Sequence, residues 1–211
     1  SLGDIFATSE WKRDFNGHIY LDPTTQLPEM VQIADPKDYK KLGSLNPKFM
    51  MGWRKSFSYK GIRLNVLINA RLGGLVTSPT QAIMDRYGVS KASGDLRDAG
   101  GVVMINNIAV PAEGWYNAIA SGTGKGDYYV YKADNVRLQE VSLEYTLPRK
   151  WLNNIADVTL GLTGSNLFLI YCKAPFDPEL SPNASNIYYS GVDYFMQPSL
   201  RNMGFSVKVQ F

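Results

Sequence analysis

The residues with the clearest chemical potential are aromatic side chains that cluster in two stretches, near residues 115–131 and 176–195. A sugar ring presents a face of C–H groups that can stack on an aromatic ring, and neighbouring Asn or Asp side chains can hydrogen-bond its hydroxyls. The same aromatics could instead pack the loops that carry them or contact a protein partner. We therefore predict ligand or partner contacts, with the packing alternative left open, for seven residues: Trp115, Tyr116, Tyr128, Tyr129, Tyr188, Tyr189 and Tyr194.

The sequence lacks the residue types that enzyme catalysis or a metal site would need. The chain has one histidine, His18, and one cysteine, Cys172, and a nucleophile, a base and an orienting group cannot be assembled from these two. A single thiol also excludes an internal disulfide and a cysteine-rich zinc site. The glycine-rich stretch at 121–126 is not a phosphate-binding loop, because Lys125 is followed by Gly126 rather than by Ser or Thr. We predict no enzyme activity, no cofactor and no metal.

Charge and hydropathy narrow the class of protein further. The 211 residues carry 22 basic and 19 acidic side chains, and the basic excess lies in the first third of the chain without forming a dense run. Nucleic-acid binding needs a concentrated basic stripe, so we predict no nucleic-acid partner. No stretch approaches 18 consecutive apolar residues, which excludes a bundle of membrane-spanning helices.

Five long segments alternate apolar and polar side chains with a period of two, the pattern of a strand whose two faces meet different environments. The segments are 48–59, 62–72, 136–147, 156–171 and 199–211. Each holds the pattern for roughly 10 to 15 residues, whereas an average globular strand has about 5–6. A tilted strand that crosses a bilayer needs about 9–11 residues. The pattern predicts an all-β fold, an antiparallel meander of about five long amphipathic strands.

The connections between these segments are alternately short and long. Lys60-Gly61 joins the first two segments and 148–151 joins the third to the fourth, whereas 75–134 and 172–198 form the other two connections. This rhythm is typical of an outer-membrane β-barrel with tight turns on one side and long loops on the other. It divides the chain into extracellular loops, transmembrane hairpins and a last barrel strand: loops 1–47, 75–134 and 172–198, hairpins 48–74 and 135–171, and strand 199–211.

A barrel wall assigns an environment to each face of the five segments. The apolar faces would meet outer-membrane lipid, and the polar faces would line a wet lumen or contact whatever fills it. The predicted lumen-facing residues are Arg54, Arg63, Asn65, Arg71, Glu140, Glu144 and Lys208.

The last segment has a second potential role. Phe205, Val207, Val209 and Phe211 alternate along its apolar face, and the chain ends on the last of them. A strand with an apolar face and a free end can add to an exposed sheet edge. We predict that these residues form the signal read by the barrel-assembly machinery, with an ordinary amphipathic strand as the alternative.

Several stretches together resemble one family, the SusC/RagA-type TonB-dependent outer-membrane transporters. They are NPKFMMGWRKSFSYKGIRLNVLINARLGG (46–74), DNVRLQEVSLEYTLPRKWL (134–152), TGSNLFLIY (163–171), FDPELSP (176–182) and the terminal MGFSVKVQF (203–211). Upstream, GDIFATSEWKRD (3–14) and TQAIMDRYGVSK (80–91) are similar to loop segments of that family. The order is that expected of the family's C-terminal portion.

The resemblance implies a place and a function. It implies part of a 22-stranded barrel in the outer membrane of a Gram-negative bacterium, one that imports oligosaccharides or, in some members, peptides. A SusD-like surface lipoprotein would close the barrel from outside, and the TonB complex would act on an N-terminal plug that this sequence lacks. Five strands cannot close even an eight-stranded barrel, so we expect that the chain alone does not transport.

A different class of protein remains open at this stage. A soluble β-sandwich that binds carbohydrate, such as an adhesin module, also shows two-residue alternation. It would pack its apolar stripes inward against each other, whereas a barrel wall would leave them exposed in the isolated chain.

Overall fold

The computed structural model describes residues 3–121, 127–152, 155–179 and 191–210. Its first elements are short, and the long strands follow. In chain order the strands are β1 (Asp4–Ala7), β2 (Ser9–Trp11), β3 (Met30–Gln32), β4 (Lys40–Ser44), β5 (Phe49–Tyr59), β6 (Ile62–Leu72), β7 (Leu75–Thr77), β8 (Val102–Ile105), β9 (Ile108–Pro111), β10 (Val130–Lys132), β11 (Asn135–Thr146), β12 (Asp157–Cys172) and β13 (Asn202–Gln210). The helices are α1 (Pro79–Arg86), α2 (Lys91–Asp98) and α3 (Ala112–Ala120), with two 3₁₀ turns at Pro36–Asp38 and Arg149–Leu152.

The five long strands form one antiparallel sheet in the order β13-β12-β11-β6-β5. Each of the five alternating segments is a strand, so the predicted all-β meander is confirmed. The last strand begins at Asn202 rather than at Ser199. Within the part of the chain that the structure describes, β5 and β13 each pair with one neighbour only. The sheet is therefore an open piece of barrel wall rather than a closed barrel.

The turn between β5 and β6 shows how the sequence forces the first hairpin. Lys60 and Gly61 both have positive φ, 45° and 84°. A two-residue type I′ turn requires positive φ at both central positions, which glycine adopts without strain. A Cβ at position 61 would also lie 2.8 Å from the backbone oxygen of Thr146. The tight connection predicted from Lys60-Gly61 thus depends on a residue without a side chain.

The two faces of the sheet are chemically distinct, as the alternation predicts. On one face, Ser58 pairs with Arg63, which pairs in turn with Glu144. On the other face, large apolar side chains are open to solvent, from Trp53 at 49% to Met203 at 76% exposed. Within the described residues, these apolar side chains of the five-stranded sheet stay exposed rather than buried between two layers. The soluble-sandwich alternative, which needs an inward stripe, does not fit this arrangement.

A second compact unit, which we call the loop unit, comprises residues 3–45, 75–121, 127–131 and 191–196. Its core consists of Ala82, Ile119, Ala120 and Tyr129, with Trp11, Met30, Trp115 and Tyr116 packed around them. It contains helix α1 and a small hairpin, β8–β9, which turns at Asn106-Asn107, within the stretch 75–134 that the sequence assigns to a loop. Helices α2 and α3 were not predicted from the sequence. None of the described helices has the length and apolar character needed to cross a bilayer.

Candidate functional site

An aromatic cluster of Trp11, Trp115 and Tyr128 is the most distinctive feature of the loop unit. The Trp11 and Trp115 rings stack with centroids 5.2 Å apart and planes 24° apart. Tyr128 meets both rings edge-on, at 6.0 Å and 5.7 Å. The indole Nε1 of Trp11 donates a hydrogen bond of 2.9 Å to the Tyr128 hydroxyl. The cluster is therefore held by ring geometry and by a directional hydrogen bond.

Residues far apart in sequence position this cluster. Trp11 ends β2, where it pairs with Met30 of β3, and Trp115 lies in the first half of α3. Beside it, Gly114 lets α3 approach Leu27 closely, because a Cβ there would collide with the Leu27 side chain. Trp115 and Tyr128 were predicted as contact residues, but Trp11 was missed. The available clue to Trp11 was that it is a tryptophan, because no sequence pattern links it to Trp115 and Tyr128, which lie more than 100 positions away.

Tyr129, also predicted as a contact residue, lies in the core of the loop unit and is 5% exposed. Its hydroxyl donates to Asp85 Oδ2 at 3.1 Å, and Gln81 Nε2 donates to Asp85 Oδ1 at 2.8 Å. Burial, followed by the nearby Asp85 charge, raises the pKa of Tyr129 strongly. The phenol therefore stays protonated and satisfies a buried carboxylate. This placement matches the packing alternative for Tyr129.

Tyr116 lies on α3 and is only partly buried. Burial, then the charge of Asp85, raises its pKa, so its hydroxyl is a neutral donor at physiological pH. It lines a cleft of about 430 Å³ between the ends of α1 and α2 and the start of α3. Burial likewise raises the pKa of Tyr128.

Tyr194 stands beside Phe195 on a short segment anchored to α1. Both rings are 57% exposed, and they meet edge-on with centroids 5.3 Å apart. The preceding Asp193 is buried and accepts a 2.6 Å hydrogen bond from the hydroxyl of Ser78, the N-cap of α1. The Phe195 amide donates to Thr80 Oγ1 at 2.6 Å. These bonds present two exposed rings from a fixed backbone. Tyr188 and Tyr189 lie outside the described residues.

All seven residues predicted to face the lumen lie on the polar face of the sheet. The ladder register places Arg54, Arg63, Asn65, Arg71, Glu140, Glu144 and Lys208 there. Ser56 Oγ donates to Asn65 Oδ1 at 2.6 Å, and Asn65 Nδ2 donates to Ser142 Oγ at 2.9 Å. An Arg63 nitrogen lies 3.9 Å from a Glu144 oxygen. Side chains from β5, β6 and β11 thus form a continuous polar strip across three strands.

A buried arginine on β11 was missed from the sequence. Arg137 is 5% exposed, and its Nη2 lies 2.5 Å from Asp177 Oδ1. Its Nη1 donates to Ser199 Oγ at 3.0 Å, and Ser199 Oγ also donates to Asp177. Its Nε lies 3.6 Å from a Glu179 oxygen. We call Arg137, Asp177, Glu179 and Ser199 the arginine clamp.

A β-bulge explains why the alternating pattern did not predict the position of Arg137 in the clamp. Counting back in twos from Glu144 and Glu140 places Arg137 on the apolar face. The register shift between Leu138 and Glu140 restores Arg137 to the polar face, opposite Asn69. A charged residue at a position that alternation assigns to lipid was the signal available, and FDPELSP (176–182) supplies the carboxylates.

The predicted assembly signal lies on the outermost described strand. Phe205, Val207 and Val209 share one face of β13 and are 67%, 55% and 46% exposed. The strand pairs with β12 from Asn202↔Ser165 to Gln210↔Asp157. Phe211 lies outside the described residues. Among those that are described, no group of three His, Cys, Asp or Glu side chains could hold a metal ion.

Comparisons with known proteins agree with this geometry. No protein-family model matches the chain. The chain is 26% identical over 180 residues to the TonB-dependent receptor P3 of Formosa agariphila, which covers 82% of this chain and 17% of that receptor. Solved structures of a peptide importer share its fold. The RagAB peptide importer in the open-open state has a TM-score of 0.62 at 15% identity, covering 99% of this chain and 22% of that one.

The RagAB peptide transporter gives a TM-score of 0.61 at 14% identity, over 98% of this chain and 22% of that chain. The chain therefore spans less than a quarter of the length of the proteins that it matches. The sequence match shows that the chain is related to a TonB-dependent receptor, and the structural matches show that it shares the fold of RagAB. The resemblance stated from the sequence is confirmed: this chain is similar in sequence to part of a TonB-dependent receptor and in fold to part of RagAB.

Proposed function

We propose that the chain is part of an outer-membrane importer that takes up oligosaccharides by a TonB-dependent mechanism. The observation that carries this proposal is the two-faced open sheet, whose fold matches part of RagAB and whose apolar stripe is exposed along its strands. An exposed apolar band of this extent is unfavourable in water and suits a hydrocarbon environment. The relatives are receptors and importers, which supports a function without enzyme activity.

The two faces of the sheet take different roles in this proposal. The apolar face contacts outer-membrane lipid, and the polar strip lines the lumen or meets a plug domain on which the TonB complex acts. Strand β13, with its aligned Phe205, Val207 and Val209, is the element that the barrel-assembly machinery reads. The segment described here is an open wall, so import belongs to the longer receptor rather than to the chain alone.

The aromatic cluster supports an oligosaccharide as the ligand. Trp11, Trp115 and Tyr128 form one partly exposed aromatic patch, and the Tyr194–Phe195 pair forms a second exposed aromatic surface. Either patch could instead contact a SusD-like lipoprotein that closes the barrel. A peptide ligand is the second candidate, because the two similar structures described above are those of a RagAB peptide importer and a RagAB peptide transporter.

Binding measured on the detergent-solubilised receptor that carries this chain tests the proposal. Trp115→Ala should weaken binding of a neutral oligosaccharide by up to about tenfold, since stacking on an aromatic ring contributes about 0.5–1.5 kcal/mol and about 1.4 kcal/mol is tenfold in affinity. Phe15→Ala is the matched control, because Phe15 is 97% exposed and belongs to neither patch. Receptor that binds peptides but no oligosaccharide would overturn the oligosaccharide proposal in favour of the second candidate.

A further inference from the structure

The cleft beside Tyr116 has a charge pattern that the import proposal does not use. Arg86 is the last residue of α1 and Arg97 lies in the last turn of α2, and both residues line the cleft. Its volume of about 430 Å³ is sufficient for a sugar ring and falls within the range of ligand-binding clefts. Two arginines that border one concave surface provide fork-shaped donor sets suited to a carboxylate.

Neither arginine is committed to a carboxylate of the loop unit. Arg86 Nε donates to the Asn117 amide oxygen at 3.3 Å, a neutral and long hydrogen bond. Within the described residues, no ion pair involves either Arg86 or Arg97, whereas Lys91 of α2 pairs with Asp95 at 2.6 Å. The two guanidinium groups therefore have donors available for a ligand.

Two carboxylates also border the cleft, and they differ in availability. Asp85 is 6% exposed, and both of its oxygens accept hydrogen bonds from behind, from Tyr129 and Gln81. Glu113 is exposed in the first turn of α3, where the helix dipole favours a negative charge. Glu113 is thus the group that would compete with an incoming anion for the arginines.

We infer that this cleft binds the carboxylate of an acidic oligosaccharide, such as one built from uronic acid units. Arg86 and Arg97 hold the carboxylate, and Tyr116 offers its ring and hydroxyl to the same sugar unit. The inference rests on the proposed import function and specifies its substrate class. It requires that the cleft discriminate by ligand charge, whereas the aromatic cluster discriminates only by ring stacking.

The test compares two probes on the detergent-solubilised receptor by calorimetry: a tetramer of galacturonic acid and its neutral counterpart, a tetramer of galactose. Arg86→Gln combined with Arg97→Gln should weaken the acidic probe about tenfold, as expected when charge-assisted hydrogen bonds are lost. The neutral probe should be unaffected. Glu113→Gln should strengthen binding of the acidic probe, since it removes the competing charge. Lys37→Gln controls for net charge, because Lys37 lies outside the cleft.

The outcomes separate this inference from the function on which it rests. If the double arginine variant binds the acidic tetramer as well as wild type while Trp115→Ala weakens both probes, the acidic-ligand inference is wrong and the import proposal stands. If neither tetramer binds wild-type receptor, the oligosaccharide proposal itself fails. Arginine-dependent binding of the peptide Ala-Ala-Glu-Ala-Ala without binding of the acidic tetramer would reassign the cleft to acidic peptides and overturn the inference.

Discussion

The sheet and the loop unit are stabilised in different ways. In the sheet, each strand pairs with strands that share long registers with it, and the large apolar side chains of β5 and β13 remain 46% or more exposed. In the loop unit, segments from two parts of the chain, 3–45 and 75–131, bury a small core around Ala82, Ile119 and Tyr129. The sheet is regular and leaves an apolar face exposed, whereas the loop unit is irregular and buries a small apolar core.

This difference shows where polar side chains can matter most. A wet polar face tolerates exposed charge at little cost, so most charges on the sheet contribute little to stability. The arginine clamp is the exception, because Arg137 is buried within an otherwise open sheet. The clamp thus gives the sheet a buried carboxylate contact, as Asp85 and Asp193 provide in the loop unit.

The largest effect is expected at that clamp. Arg137→Met keeps the length of the side chain but leaves Asp177 without its cation, in a site where the Asp177 side chain is only 12% exposed. Breaking one partner of a buried ion pair costs about 3–5 kcal/mol. We expect the free energy of unfolding in detergent or lipid, measured by denaturant titration, to fall by that order.

A matched control for this variant lies at the turn between β11 and β12. Arg149 also pairs with an aspartate, Asp157, and its Nε donates to Oδ1 at 2.6 Å, but its side chain is 64% exposed. Arg149→Met should leave stability almost unchanged, because exposed ion pairs are screened by water. Equal losses in the two variants would show that burial does not distinguish the clamp from other ion pairs of the sheet.

The next largest effect separates the two faces of β13. Val207→Lys places a charge on the apolar face, where a bilayer midplane position costs about 2–4 kcal/mol. Ser206→Lys, one residue away, places the same charge on the polar face. Folding of the receptor into lipid vesicles, followed by urea titration, should show the loss for Val207→Lys only. Equal behaviour of the two variants would contradict a lipid-facing stripe.

The sequence predicted the sheet well because its information is local. Alternation with a period of two indicates which face of the sheet each side chain occupies, and the Lys60-Gly61 dipeptide predicts the tight turn between β5 and β6. The pattern failed at Arg137, where one bulge residue shifts the register and the available local signal was a charged residue at a position that alternation assigns to lipid. The site on the loop unit was predicted only in part for the same reason. Trp11 and Trp115 meet through tertiary packing, which a single sequence does not encode in its spacing.

A smaller effect tests whether the loop unit depends on its polar core. Tyr129→Phe removes the hydroxyl that donates to the buried Asp85 and leaves one carboxylate oxygen without that donor. An unsatisfied buried acceptor costs about 1–3 kcal/mol. Hydrogen exchange at the amides of α1 should become faster accordingly, while Tyr87→Phe, at a residue 73% exposed, should not change it. Unchanged exchange in Tyr129→Phe would mean that Asp85 finds another donor.

The smallest effect concerns pH at the start of β11. The Gly73 amide donates to Asp134 Oδ1 at 2.6 Å, and Lys173 Nζ lies 3.3 Å from Oδ2. The Gly73 hydrogen bond, followed by that from Lys173, holds the pKa of Asp134 below its ordinary value of 3.8. A lowered pKa in the folded state stabilises the fold above the ordinary pKa, and this contribution is lost as pH falls through the folded pKa.

Asp134→Asn should therefore be less stable than wild type near neutral pH, and the difference should close as pH falls below about 4. Denaturant titrations of both proteins across that range measure the difference. Lys173→Gln should reproduce only part of the loss, because the backbone donor at Gly73 is the larger cause of the lowered pKa. A difference that persisted unchanged at low pH would mean that the asparagine perturbs the turn itself. In that case the ionisation of Asp134 would contribute nothing to the stability of the sheet.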